Sequence, residues 1–114
     1  MTKDELHAAA MALPGATLNV QWGDDHIYKV GGKMFAGCDG GYSSLSFKAT
    51  DIAFEALTES GRARPAPYMA RASWVRFDDL AALDAAEVSD WLRTSHGLVT
   101  AGLTRKARAE LGIA

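Results

Sequence analysis

Apolar residues recur at helical spacing near both ends of the chain. The first set lies on one face of a predicted helix, at i, i+3, i+4 and i+7: Leu6, Ala9, Ala10 and Leu13. Thr2 and Glu5 form a capping box before it, and Pro14-Gly15 ends it. A second capping pattern begins at Asp84, and the residues that follow it at helical spacing are Val88, Leu92, Ser95, Val99 and Leu103.

Between these helices, apolar and polar residues alternate with the period of two that is typical of half-buried strands. Four such runs are predicted: 17–22, 26–30, 33–38 and 42–48. Gly31-Gly32 alone separates the second run from the third, which predicts a tight hairpin. Its register places Tyr28 opposite Phe35, so that Tyr28, Val30 and Phe35 form a core set. In the fourth run Leu45 and Phe47 are expected to point inward.

A further helix and a further strand complete the predicted fold. Thr50 can cap a helix that runs to about Glu59, and Trp74 to Phe77 has the pattern of a fifth strand. The predicted order is α-β-β-β-β-α-β-α, in a single domain over residues 1–114. Short connections between consecutive strands predict an antiparallel sheet, so the fold class is α+β with the helices packed on one face.

The other sheet face is predicted to be polar and partly basic. By alternation it carries Asn19, Gln21, Lys29, Ser44, Ser46, Lys48, Trp74 and Arg76. Trp74 is therefore expected to point outward, either covered by neighbouring residues or able to stack on a ligand, whereas Trp22 ends an inward set and is expected in the core. Between the second helix and the fifth strand, Arg64-Pro65-Ala66-Pro67 predicts a stiff, extended connector, because each proline fixes φ and biases the residue before it.

Composition and charge narrow the function. The 114 residues carry a net charge of −2, which argues against strong non-specific binding to nucleic acid. Residues 26–76, however, hold seven cations against four acids, which leaves room for a local anion-binding surface. Cys38 is the only cysteine, which fits a reducing cytoplasm. No apolar run is long enough to span a membrane, so no membrane partner is expected.

Catalytic signatures are weak throughout the sequence. Asp24-Asp25-His26 are metal-ligand types, but adjacent turn residues rarely converge on one ion. Ser95-His96 falls in a helix without a nucleophile elbow, and Cys38 has no flanking cation to activate it. We therefore expect a protein that is not an enzyme, with no cofactor and no metal, in which Cys38 is a small buried strand residue.

An ordered set of short motifs resembles the MmcQ/YjbR family. The motifs run across almost the whole chain: Leu13-Pro14-Gly15-Ala16, Trp22-Gly23, 28–35 (YKVGGKMF), Leu45-Ser46-Phe47-Lys48, Pro65-Ala66-Pro67-Tyr68, Trp74-Val75 and 95–99 (SHGLV). The resemblance implies a small α/β fold akin to secretion-chaperone and frataxin-like (CyaY-like) shapes. It also implies a proposed DNA-binding role through a "double wing" of hairpins, and it brings no catalytic residues.

Three functional hypotheses follow. In the first, the protein binds DNA, and cations on the sheet, the hairpin wings and the proline segment contact the phosphates. These cations are Lys29, Lys33, Lys48, Arg64, Arg71 and Arg76, and Trp74 lies beside them. In the second, a protein-interaction or chaperone-like module holds a peptide on the sheet face or in a groove at Pro65-Ala66-Pro67-Tyr68. In the third, a small-ligand or enzyme pocket lies between the proline segment and the last helix, lined by Tyr68, Trp74 and His96. The oligomeric state is left open.

Overall fold

The computed structural model describes residues 1–67 and 72–113. Its elements are α1 (Lys3–Met11), β1 (Ala16–Gln21), β2 (Asp25–Val30), β3 (Lys33–Cys38), β4 (Leu45–Lys48), α2 (Asp51–Glu59), β5 (Arg64–Pro65), β6 (Trp74–Phe77), α3 (Ala85–Ala101) and α4 (Arg105–Glu110). The predicted α+β class is confirmed. The structure also contains the two-residue strand β5, which is absent from the predicted order. Thr104 caps the short terminal helix α4.

The helices begin where the capping signals predict. The Thr2 side chain accepts a hydrogen bond from the Glu5 backbone N–H, and the Glu5 carboxylate accepts one from the Thr2 N–H, which completes the capping box. The Thr50 hydroxyl caps α2, and the Asp84 carboxylate caps α3. These side chains satisfy backbone donors that have no partner within a first helical turn, so the sequence fixes the starts of three helices.

The six strands form one sheet in the order β1-β2-β3-β4-β6-β5, and every neighbouring pair is antiparallel. Helices α1 and α3 contact each other, and α3 lies across β3 and β4. The core lies between this helical layer and the sheet, where Phe47, Phe77 and Trp91 stack with ring centroids 4.9–5.9 Å apart. The sheet face that points away from this layer is called the open face below.

The hairpin register differs from the prediction by one residue. Lys29 pairs with Met34 as expected, but Tyr28 pairs with Ala36, so Phe35 is the extra residue of a β-bulge. The predicted core set is nevertheless correct, because Tyr28, Val30 and Phe35 are all fully buried. Both Phe35 and Ala36 face the core, and Met34 and Gly37 are left on the open face.

Ser95 compensates for the bulge. The Phe35 carbonyl and the Lys48 N–H would form the next rung between β3 and β4, but the β3–β4 pairing covers only Ala36 and Gly37. The buried Ser95 hydroxyl occupies that position, where it donates to the Phe35 carbonyl at 2.6 Å and accepts from the Lys48 N–H at 3.0 Å. Ser95 is therefore a structural residue that joins α3 to the two central strands.

Trp22 is not a core residue, contrary to the alternation in β1. The strand ends at Gln21, and Trp22 adopts a left-handed backbone conformation with φ +52°. Its side chain is 70% exposed. The turn begins one residue earlier than Gly23 suggests, so the period of two no longer applies at this position.

Trp74 has the outward position that alternation predicts, and its side chain is covered, which is one of the two alternatives that the sequence leaves open. It pairs with Lys48 on the open-face side of β6, yet only 4% of it is exposed. The chain before it returns as β5 alongside β6, and the Ala66 N–H donates to the Trp74 carbonyl at 3.0 Å. The first two residues of the stiff connector predicted from the prolines thus form the edge strand β5 beside β6. Tyr68 and Arg71 lie outside the described residues.

Candidate functional site

One residue from each strand forms a straight row across the open face. The strand registers align Asn19, Ile27, Gly37, Ser46, Arg76 and Arg64, in that order. At the middle of the row the molecular surface lies close to the backbone, because Gly37 has no side chain and the side chain of Ser46 is small. Larger side chains rise on either side, those of Ile27 in β2 and Arg76 in β6. The sheet therefore has a depression at its centre.

This depression is a pocket of about 520 Å³. Its size falls within the range of about 300–1,000 Å³ that is usual for ligand pockets. It is mainly apolar, and the residues that line it are Trp22, Asp25, Ile27, Met34, Gly37, Cys38, Asp39, Ser44, Ser46, Ala66, Pro67 and Arg76. These residues, called the open-face pocket below, come from both halves of the sheet and from the end of the proline segment.

Gly37 keeps the pocket open without being required by the backbone. Its φ lies outside the left-handed region. A Cβ at this position would meet the Ile27 Cδ1 at 3.4 Å and the Met34 Sδ at 3.9 Å, which are ordinary contact distances. Gly31 is different, because its φ is +59° and a Cβ there would lie 2.8 Å from the Leu103 Cδ1. A glycine inside a strand often marks a bulge, a bend, or a site where a ligand or another backbone approaches closely.

Trp22 forms one lip of the pocket. A bulky side chain on a left-handed backbone is uncommon and costs about 1–3 kcal/mol, so it persists only where the surrounding structure holds it. The exposed Trp22 therefore combines local strain with a large, solvated aromatic surface. Strained backbone and exposed aromatic surface both concentrate at binding sites.

Charged groups of both signs line the pocket. Burial acts to raise the pKa of Asp39, but hydrogen bonds from the hydroxyl and backbone groups of Ser43 and Ser44 outweigh it and lower the pKa to about 2. Asp39 is therefore ionised and held by its own loop at neutral pH. Asp25 lines the same pocket, and Arg76 belongs to the opposite half of the sheet.

Two of the cations predicted to meet phosphate share one carboxylate. Arg64 donates from Nε and Nη2 to Asp78 at 2.9 and 3.0 Å, and Arg76 donates from Nε to the same carboxylate at 2.9 Å. These hydrogen bonds lower the pKa of Asp78 to about 2. The cluster carries one net positive charge, and its members are 34–57% exposed.

The remaining predicted cations are divided between two sides of the molecule. Lys29 and Lys48 have open-face positions in the strand registers, and the Lys48 ammonium donates to the Ala72 carbonyl at 2.8 Å. Lys33 instead points toward the end of α3, where its Nζ lies 3.9 Å from the position of a Cβ on Gly102. The open face thus gathers Lys29, Lys48, Arg64 and Arg76, without Lys33.

In the part of the chain that the structure describes, Trp74 and His96 do not line a common pocket between the proline segment and the last helix. His96 lies in the helical layer, where its Nε2 is 2.7 Å from the Pro14 carbonyl oxygen and its ring packs edge-on against Phe35. Trp74 is buried on the other side of the sheet. The strands separate the two side chains, so that His96 ties α3 to the loop after α1 instead of lining a groove.

The other residues considered for chemistry have structural surroundings. Cys38 is buried, and this burial raises the pKa of its thiol. Within residues 1–67 and 72–113, no three His, Cys, Asp or Glu side chains are grouped closely enough to hold a metal ion. In the same part of the chain, no helix is both long and apolar enough to cross a membrane.

The sequence interpretation missed the residues that build the pocket, namely Trp22, Ile27, Met34 and Gly37. One signal was present, since Gly37 interrupts an apolar strand that has no turn at that point. The position of Trp22 at the lip depends on its left-handed backbone, which alternation does not encode.

Comparisons with known proteins agree with the fold. The crystal structure of Deinococcus radiodurans protein DR2400, with the family domain DUF419, is similar at a TM-score of 0.85 and 26% sequence identity. The match covers 99% of this chain and 89% of that one. No functionally curated protein matches the sequence. The family model YjbR matches residues 11–98, which is most of the chain, and the protein therefore belongs to the YjbR family.

Proposed function

We propose that this protein is a non-enzymatic binding protein that holds an apolar side chain of a peptide or protein partner in the open-face pocket. The observation that carries the proposal is the space above Gly37, which neither backbone conformation nor packing requires. Ile27 and Met34 give this space an apolar wall, and methionine adapts its shape to different ligands.

The surroundings of the pocket favour a peptide over a free apolar molecule. Trp22 offers an aromatic surface at the lip, and tryptophan is among the residues that contribute most to protein interfaces. Arg76 and Asp39 supply charges of opposite sign around the apolar floor. An extended peptide presents an apolar side chain together with polar backbone groups, which matches this combination.

The test is a selection from a phage-displayed library of random linear peptides on the wild-type protein alone, after which each selected peptide is assayed on both the wild-type protein and the Gly37→Val variant. The proposal predicts peptides with a shared apolar anchor that bind the wild-type protein and not the variant. Binding is measured in solution with the synthetic peptides, through the total tryptophan emission, to which the exposed Trp22 contributes together with the buried Trp74 and the partly buried Trp91. Selected peptides that bind both proteins equally would contradict the proposal.

DNA binding is the second candidate, and one observation favours it. Four of the cations that the family resemblance assigns to phosphate contact, Lys29, Lys48, Arg64 and Arg76, share the open face. Asp78 offsets one of these charges, and net charge −2 opposes a long-range attraction. Any duplex affinity is therefore expected to be modest and to fall steeply with salt.

A labelled duplex titrated at low and at moderate salt tests this candidate by fluorescence anisotropy. Charge reversal of Lys29 and Lys48 is expected to abolish duplex binding, whereas Gly37→Val is expected to leave it unchanged. Flat anisotropy at low salt would exclude the DNA role and would leave the peptide proposal intact, because Lys29 and Lys48 do not line the open-face pocket.

A further inference from the structure

The two edges of the sheet differ in how they are protected. The edge strand β5 has only two residues, Arg64 and Pro65, and proline has no N–H to offer a neighbouring strand. A short edge strand with a charge and a proline resists pairing with another chain. At the opposite edge, β1 has six residues that pair with β2 in continuous register.

Strand β1 lacks the usual protection of an edge. Its sequence ATLNVQ contains no charged residue and no proline, and its pairing with β2 has no bulge. Val20 on this strand is 58% exposed. Within residues 1–67 and 72–113, no strand pairs with the outer side of β1. A long, flat, uncharged edge with an exposed apolar side chain favours pairing with a further strand.

We propose that β1 pairs with β1 of a second copy of this protein, antiparallel about a two-fold axis through Asn19. The two six-stranded sheets then become one continuous sheet. Because the axis runs perpendicular to the sheet, each strand keeps its open face on the same side. This inference is independent of the peptide-binding proposal, since the open-face pocket lies over β2, β3, β4 and β6.

The sequence of β1 matches itself in this register. On the side of the helical layer, Leu18 of one copy lies opposite Val20 of the other, twice by symmetry. On the open face, Thr17 lies opposite Gln21, and Asn19 lies opposite its own equivalent. Within residues 17–21, each apolar residue therefore meets an apolar residue, and each polar residue meets a polar one.

Charge also favours a second copy as the occupant. A two-fold axis places each residue near its own equivalent, so a charged edge strand would repel itself. The strand has no charge to be repelled, and the partner side chain of Leu18 covers the exposed Val20. An interface of one strand pair is small, so we expect a dimer that dissociates on dilution.

Asn19 provides a specific test, because it is exposed and lies on the proposed axis. Asn19→Lys and Asn19→Asp each bring two like charges together, which raises the dimer dissociation constant by about fivefold. An equal mixture of the two variants pairs Lys with Asp and forms heterodimers in excess of the twofold ratio to either homodimer that random mixing gives. Sedimentation over a range of concentrations measures the association, and native mass spectrometry identifies the heterodimer.

A wild-type protein that stays monomeric at all concentrations would overturn the proposal. A dimer that both Asn19 variants leave unchanged, or a mixture without excess heterodimer, would overturn it as well. Circular dichroism of each variant verifies the fold. Peptide binding at the open-face pocket is measured on the same samples and is expected to persist in both variants.

Discussion

Replacing Gly37 with valine separates the stability of this protein from its proposed binding function. A Cβ at position 37 fits at ordinary contact distances from Ile27 and Met34, so the backbone tolerates the change. The two valine methyl groups extend from that Cβ into the open-face pocket. The perturbation therefore fills the proposed binding site and leaves the pairing of β3 with β2 and β4 in place.

The two effects have opposite signs. Valine in place of a strand glycine stabilises the folded state by about 1 kcal/mol, because it restricts the unfolded chain and suits a pleated strand. A partner side chain that competes with the new methyl groups meets an overpacked site, which costs about 1–3 kcal/mol. That cost weakens binding by about 5-fold to 150-fold.

Urea unfolding and peptide titration measure the two effects on the same samples. The peptide is one selected on the wild-type protein, and the total tryptophan emission reports its binding. Thr17→Val is the matched control, because it places valine on the exposed part of the open face outside the pocket. The control is expected to leave the peptide affinity unchanged.

Two results would refute this reasoning. If Gly37→Val bound the peptide as tightly as the wild-type protein, the open-face pocket would not be the binding site. If the variant lost several kcal/mol of stability, Gly37 would be needed for folding, and its lack of a side chain would carry no functional meaning.

Other predictions follow from individual contacts. Ser95→Ala leaves the Phe35 carbonyl and the Lys48 N–H without their partner, so we expect a loss of about 2–4 kcal/mol in the free energy of unfolding, measured in urea. A loss below the error of the measurement would contradict the role of Ser95 in the sheet. Trp22→Gly suits the left-handed backbone, so the free energy of unfolding is expected to stay equal or rise. The affinity for the peptide, measured by titration calorimetry, is expected to fall. An unchanged affinity would show that Trp22 does not belong to the binding site. The folded pKa of Asp39 is about 2, below the ordinary value of about 3.9, so its ionisation stabilises the fold above about pH 4, and this contribution is lost as the pH falls toward 2. Asp39→Asn is therefore expected to make thermal stability less dependent on pH between about 2 and 4. An unchanged pH profile would contradict the stabilising role of the Asp39 carboxylate.

The sequence predicts the elements of this fold well because local signals determine them. Capping residues such as Thr2 and Asp84 begin the helices, and the Gly31-Gly32 pair closes the hairpin. The bulge at Phe35 was not predictable, since the Ser95 hydroxyl that takes the missing rung lies 60 residues away in the sequence. Only the folded chain brings such groups together.

The site was less predictable than the fold for a similar reason. Alternation assigns a side to each strand residue, and it placed Lys29, Lys48 and Arg76 correctly on the open face. It does not show that Asp78 holds two of the arginines, or that Trp74 is buried at its open-face position. The pocket depends on the alignment of Ile27, Gly37 and Arg76 across three strands, which the register alone determines.

The most direct test of the open-face pocket is an amide proton–nitrogen correlation spectrum recorded while a selected peptide is added. Binding at this site predicts the largest shifts at the amides of Ile27, Met34 and Gly37 and at the indole of Trp22, with small shifts in α1 and α3. Shifts concentrated in the helices, or an unchanged Gly37 amide at saturation, would contradict the proposal.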